Sequence, residues 1–226
     1  MKVINRESSR GRGNFGWLKA NYSFSFSSYY NAQKMGFKSL RVINEDFISS
    51  KAGFPFHSHQ NMEILTIVLS GNLTHKDSLG NVAHLYPGRI QRMYAGHGIT
   101  HSEYNESDEE LNLLQIWIEP NQINLKPEYE EKEFSLSEGF QLLASPGGRE
   151  GSIRIHQNLE VGIITLKPEE EIVFNLKSEA FYFHIIKGKI TIGKDTLSYG
   201  DSLQGEQESI KIQAQEPSQI LMFKFL

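Results

Sequence analysis

The stretch MEILTIVLSGNLTHKDSLGNVAHLYPG, residues 62–88, decides the fold. Within it LTIVL (65–69) reads as a strand buried on both faces. Ser70-Gly71 then marks a tight turn, DSLGN (77–81) a second turn, and Pro87-Gly88 a third, with short strand-forming runs between them. The flanks follow the same grammar. FKSLRVINEDFI (37–48) reads as strand then turn, and IQRMYAGHGITHSEYN (90–105) as strand, Gly-rich turn, strand. LNLLQIWIEP (111–120) alternates apolar residues and stops at Pro120. Helix signals are scarce, and strands at this even spacing predict an all-β sandwich or barrel.

The pattern then recurs. FYFHIIKGKITIGKDTLSYGDSL (181–203) repeats strand, glycine, strand, turn, strand, so Gly188 corresponds to Gly71 and Tyr199-Gly200 to Pro87-Gly88. The first copy is longer by the DSLGN excursion. Such self-similarity predicts two related β-domains. Between them NQINLKPEYEEKEFSLSEG (121–139) is polar and acidic and reads as a solvated connector, with one helical turn near Pro127. The expected boundaries are 1–122, a linker at 123–145, and 146–226.

The chain has 226 residues, ordinary apolar content, a formal net charge of −4 and no cysteine. A sizeable core is therefore expected and disorder is not. Without a basic block, direct nucleic-acid binding has no electrostatic support. Disulfides, thiolate nucleophiles and zinc–cysteine sites are excluded, which fits a reducing compartment. MKVINRESSRGRGNFGW at the N-terminus has no apolar core of a signal peptide, and no run is long enough for a bilayer span, so a soluble cytoplasmic protein is expected. There is no G-x-S-x-G, P-loop or G-x-G-x-x-G, so hydrolase and nucleotide-cofactor readings lack support.

Two stretches carry ligand-type residues at i, i+2: His57 and His59 in FPFHSH (54–59), and His101 and Glu103 in THSEY (100–104). On a strand, each pair aims both side chains to one face. Strands distant in sequence can be neighbours across a barrel interior, where the two pairs would meet. Three imidazoles and a carboxylate suit iron, manganese, cobalt, nickel, copper or zinc, and an octahedral ion would keep two positions open. A lone H-x-H is most often a surface or loop feature; two such pairs embedded in apolar strands are a stronger signal. Other residues take plainer readings. His97 is a solvated turn residue, His75 and His84 are cross-strand or surface residues, and His156 and His184 are structural residues of the second domain. FSFSSYY (24–30) is core and barrel lip, and RGRG (10–13) a terminal arm.

GFPFHSHQNMEI (53–64), LSGNLTHKDSLGNVAHLYPGRIQRMYAGHGITHSEYN (69–105) and the upstream RGRGNFGWLKANYSFSFSSYYN (10–31) together resemble the pirin family, a branch of the cupins. The likeness is close over residues 10–120 and looser beyond, and is greatest to bacterial pirin-like proteins with quercetin 2,3-dioxygenase activity. It implies a bicupin, two jelly-roll-type β-barrel domains packed together. It implies one divalent transition metal per chain, iron foremost, held in the first domain by His57, His59, His101 and Glu103. Glu63, which completes an H-x-H-x-x-x-E pattern used by other cupins, then has a supporting or structural role. Positions matching His57, His59 and His101 in the second copy are Phe174, Leu176 and Gln213, so that domain is expected to be metal-free.

The activity implied is dioxygenation of a flavonol-type ring with release of carbon monoxide, with Glu103 as catalytic base and with a small planar aromatic substrate and dioxygen as partners. Two alternatives stand beside this activity, the first of them also implied by the resemblance. One is a metal-bearing, redox-sensitive regulatory protein that binds a protein partner. The other is a detoxifying enzyme for another enediol or catechol. A monomer is expected.

Overall fold

The computed structural model describes residues 2–177 and 179–226. Among these, short antiparallel strands dominate, with 3-10 turns at Glu7–Ser9 and Arg149–Gly151. The strands of the first half are β1 (Val3–Asn5), β2 (Gly11–Asn14), β3 (Leu18–Tyr22), β4 (Leu40–Ile48), β5 (Ala52–His59), β6 (Glu63–Ser70), β7 (Leu73–Asp77), β8 (Val82–Leu85), β9 (Arg89–Tyr94), β10 (Ile99–Asn105) and β11 (Leu111–Ile118). Those of the second half are β12 (Glu128–Glu133), β13 (Gly139–Pro146), β14 (Ile153–Ile155), β15 (Leu159–Leu166), β16 (Glu171–Asn175), β17 (Ala180–Lys187), β18 (Lys189–Ile192), β19 (Asp195–Ser198), β20 (Ser202–Glu206), β21 (Ser209–Ala214) and β22 (Ser218–Phe225). No helix among the described residues is long and apolar enough to cross a membrane.

The chain divides into two compact units: Arg10–Phe134 with Ile155–Gln157, and Met1–Ser9 with Ser135–Arg154 and Asn158–Leu226. In the first, a seven-stranded sheet runs β12-β9-β6-β11-β4-β3-β2 and a four-stranded sheet runs β5-β10-β7-β8. Leu73 and Leu85 of the smaller sheet pack with Val68, Leu111 and Leu113 of the larger in one buried cluster. Each such leucine contributes about 1.5–3 kcal/mol by leaving water. β6 and β11 are interior strands of their sheet, which is why their sequences read as nearly unbroken apolar runs.

The second unit repeats the plan, with sheets ordered β1-β20-β17-β22-β15-β13-β14 and β16-β21-β18-β19 around a core that includes Phe181, Phe183, Leu197 and Ile220. Phe174 packs against that core and Leu176 is buried in it. Gly71 and Gly188 both turn at positive φ, 82° and 79°, where an L side chain is strained. A Cβ at Gly188 would also strike the Pro217 carbonyl. The architecture is the expected all-β, two-domain cupin arrangement.

Four expectations need correction in detail. The stretch expected as a linker at 123–145 carries β12, which extends the first unit's sheet by pairing with β9 from Glu128↔Tyr94 to Glu133↔Arg89. Its acidic composition misled because an edge strand tolerates charge, and here the charge has partners: Glu128 bonds Arg92 at 2.7 Å, and Glu131 bonds Arg89. No helical turn forms at Pro127. The expected terminal arm is instead β2, paired to β3, and the Arg10 before it is buried against Glu45 at 3.0 Å. His156 lies in the first unit. Its backbone N–H donates to both oxygens of Glu63 at 2.8 Å, and its ring contacts Glu128 at 3.3 Å.

Candidate metal centre

The two ligand-type pairs are not opposed across an interior. They stand side by side on β5 and β10, adjacent strands of the four-stranded sheet, with His101 directly opposite His57 and Ile99 opposite His59. The pairing slips by one residue between His101 and Glu103, so that Glu103 faces Phe54. Phe54 and His57 are an odd number of residues apart and would point to opposite faces of a regular strand. The bulge brings both onto the inner face. Pro55, which has no N–H to offer a ladder, sits at that slip on an edge strand, where the missing donor costs least.

A third pair completes the face. On β7, His75 lies opposite Glu103 and Asp77 opposite His101. The ligand atoms of His57, His59 and His101 lie within 4.8 Å of one another, and so do those of His75, His101 and Glu103. His101 is common to both groups. Its ring centroid is 4.4 Å from that of His57, 4.9 Å from that of His59 and 5.3 Å from that of His75.

The local hydrogen bonds prepare lone pairs. His57 Nδ1 is 2.8 Å from the Pro55 carbonyl oxygen, which holds the proton on Nδ1 and leaves Nε2 as the acceptor. His101 is 1% exposed, and neither of its ring nitrogens has a hydrogen-bond partner. Burial lowers the His101 pKa to about 3 and that of His59 to about 4, with the neighbouring imidazoles adding to the effect. Both rings are therefore neutral at physiological pH. A buried imidazole with two unsatisfied nitrogens is costly unless something occupies the space between the rings. A divalent transition ion fits this donor set of imidazoles and a carboxylate.

Glu103, 2% exposed, is gripped from the facing sheet. The Gln115 amide donates to its Oε2 at 2.6 Å, while the Thr66 hydroxyl lies 3.3 Å and Gln91 Nε2 3.4 Å from its Oε1. Tyr129 on β12 donates to Gln91 at 3.0 Å and stacks on His75, with centroids 4.9 Å apart. Beside these groups opens a pocket of about 200 Å³, walled by Phe26, Phe54, Ile64 and Trp117 and edged by the three histidines, Glu103, Gln115, Asn44 and Asp46. Asp46 is buried on β4. Loss of water, with Glu103 and Glu45 nearby, pushes its carboxyl up to about 8 against the pull of Arg10.

Of the other candidates, Glu63 and His97 lie elsewhere and His75 lies at the centre. Glu63 is one residue out of phase with Ile64 and Thr66, which face the pocket and Glu103, so strand parity sends it to the opposite face. There it pairs with Arg92 at 2.8 Å. His97 is exposed. His75, read as a cross-strand or surface residue, is cross-strand and wholly buried against the centre. The sequence did carry a signal for it: His75 and Asp77 have the same i, i+2 spacing as the other pairs. Asp46, Gln115 and Trp117 had none, since they reach the pocket only through the facing sheet.

Comparison with known proteins accords with this arrangement. The profile described as Pirin matches residues 5–118, and that described as Quercetinase C-terminal cupin domain matches residues 142–225. A quercetin 2,3-dioxygenase of Escherichia coli K12 is 41% identical over 226 residues, covering 99% of this chain and 98% of its own. A pirin-like protein of Caulobacter vibrioides is 36% identical, covering 94% of each. The crystal structure of the bacterial pirin YhhW from E. coli in complex with nickel(II) superposes with a TM-score of 0.96 at 40% identity, over 100% of this chain and 99% of that one. By fold, by sequence along nearly its whole length and by both domain profiles, this chain belongs to the pirin family.

Proposed function

We propose that this protein is a metal-dependent dioxygenase resembling quercetin 2,3-dioxygenase, with one divalent transition ion held by His57, His59, His101 and Glu103. The observation that carries the reading is the inner-face cluster itself: three converging imidazoles with His101 buried, the two unpartnered nitrogens of His101, and an adjoining apolar pocket. The relatives named as quercetin 2,3-dioxygenases and the nickel(II) complex of the E. coli protein support it.

An ion held there supplies Lewis acidity, lowering the pKa of an enol hydroxyl beside a carbonyl. The protein's own groups do the rest. Phe26, Phe54 and Trp117 bound a slot for a planar ring and exclude water. Glu103, held in place by Gln115, takes the hydroxyl proton as base. The electron-rich ring then reacts with dioxygen, both oxygen atoms entering the product as one carbon leaves as carbon monoxide.

The test is oxygen uptake with quercetin under air by protein loaded separately with iron(II), manganese, cobalt, nickel or copper, the metal content of each sample being measured. Metal-dependent uptake that His101→Ala abolishes is expected. One ion per chain with no uptake in any form would reject quercetin as substrate. It would point instead to another enediol or to the regulatory protein-binding role.

A further inference from the structure

Six histidine and acidic side chains share the inner face of β5, β10 and β7, and the proposed metal set uses only four. The remaining two, His75 and Asp77, are tied together. His75 Nε2 lies 3.1 Å from Asp77 Oδ2, with both side chains fully buried. Both Asp77 oxygens are already acceptors: Oδ1 takes the Leu79 and Asn81 backbone N–H groups at 2.9 and 3.1 Å, and Oδ2 takes the Asn81 side-chain amide at 2.9 Å. Facing an acceptor, His75 carries its proton on Nε2. That leaves Nδ1 of His75 as a bare lone pair. It is buried and has no hydrogen-bond partner. The neighbour with a complementary need is His101: one ring nitrogen of each lies within 4.8 Å of the other, and neither His101 nitrogen has a hydrogen-bond partner. A neutral imidazole that gives one nitrogen to a metal carries its proton on the other, and that proton needs an acceptor.

We propose that His75, itself oriented by Asp77, is the positioning residue for His101: its Nδ1 accepts the His101 ring proton and so fixes which His101 nitrogen faces the ion. This rests on the reading of His101 as a ligand. The stack of Tyr129 on His75 and the asparagine-capped turn at Asp77 then have a shared purpose, holding the dyad still.

The alternative arrangement is that His75 is itself a ligand, and the experiment separates the two. Nickel(II) affinity is measured by chelator competition, and the nickel shell by X-ray absorption, for wild type, His75→Phe and His75→Asn. Thermal unfolding of each metal-free protein serves as the folding check. Phenylalanine keeps the ring against Tyr129 but removes the acceptor; asparagine restores an oxygen acceptor near the Nδ1 position. The expected result is nickel(II) binding weakened about 10- to 100-fold in His75→Phe. The number of nitrogen and oxygen neighbours should not change, and His75→Asn should recover much of the affinity.

Unchanged affinity in His75→Phe overturns the proposal. So does loss of one nitrogen neighbour from the nickel shell, which would make His75 a ligand. If His75→Phe does not fold, Asp77→Asn is read in the same assays: weaker binding supports the dyad, and wild-type binding overturns it. His101→Ala separates this proposal from the one beneath it. Should that variant keep its nickel, the ligand assignment has failed rather than the role of His75.

Discussion

Glu63 offers the sharpest separation between a metal ligand and a structural acid, because its place after H-x-H invites the first role and its surroundings give it the second. Its carboxylate accepts from Arg92 Nε at 3.0 Å and Nη2 at 2.8 Å, and from the His156 backbone N–H at 2.8 Å. Arg92 is itself 1% exposed. Glu63→Ala strands a buried guanidinium, which keeps only Glu128, and a buried N–H. Removing one member of a buried ion pair costs about 3–5 kcal/mol. At about 2–4 °C per kcal/mol for a chain of this size, the metal-free protein should lose about 6–20 °C in the melting of the unit that holds Glu63. Nickel(II) stoichiometry, measured by elemental analysis after dialysis at a temperature where the variant is folded, should stay at the wild-type value. His101→Ala should show the reverse: metal lost, metal-free melting little changed. A Glu63→Ala protein that melts as the wild type does but no longer holds nickel would refute the parity argument and place Glu63 in the metal set.

Two further outcomes follow from the same geometry. The Asp46 carboxyl is raised from an unfolded value near 4 to about 8, so between those pH values the folded state binds the extra proton, and the metal-free protein should lose stability as pH rises through that window. Urea unfolding at several pH values should show a slope of up to about 1.4 kcal/mol per pH unit that Asp46→Asn removes; a parallel dependence in the variant would contradict it. Gly53 pairs with Tyr104 beside the bulge, and a Cβ there would run into the Glu103 carbonyl and the Tyr104 Cα. Gly53→Ala should therefore cost about 1–3 kcal/mol by chemical denaturation and weaken nickel(II) binding by shifting β5 against β10, whereas wild-type affinity in a destabilised protein would show the centre to be indifferent to that contact.

The strands were legible because their signals are local. Interior strands need apolar side chains on both faces, turns need glycine at positive φ, and both leave their mark within a few residues, as at LTIVL and at Gly71 and Gly188. The doubled pattern was legible for the same reason, and so was the i, i+2 spacing that puts His57 with His59 and His101 with Glu103. β12 was not, because a half-buried edge strand imposes no apolar period and its ladder partner is β9, far back in the chain.

What only the tertiary structure decided is which residues meet. The register of β5 on β10 sets His57 opposite His101, and a one-residue bulge chooses the face on which they stand. The pairing of β7 with β10 brings in His75 and Asp77, and the facing sheet supplies Gln115, Asp46 and Trp117 to the same space. Parity along one strand can be read from order alone. Register between strands cannot, since it is settled by the simultaneous burial of all the inner faces, a property of the whole fold.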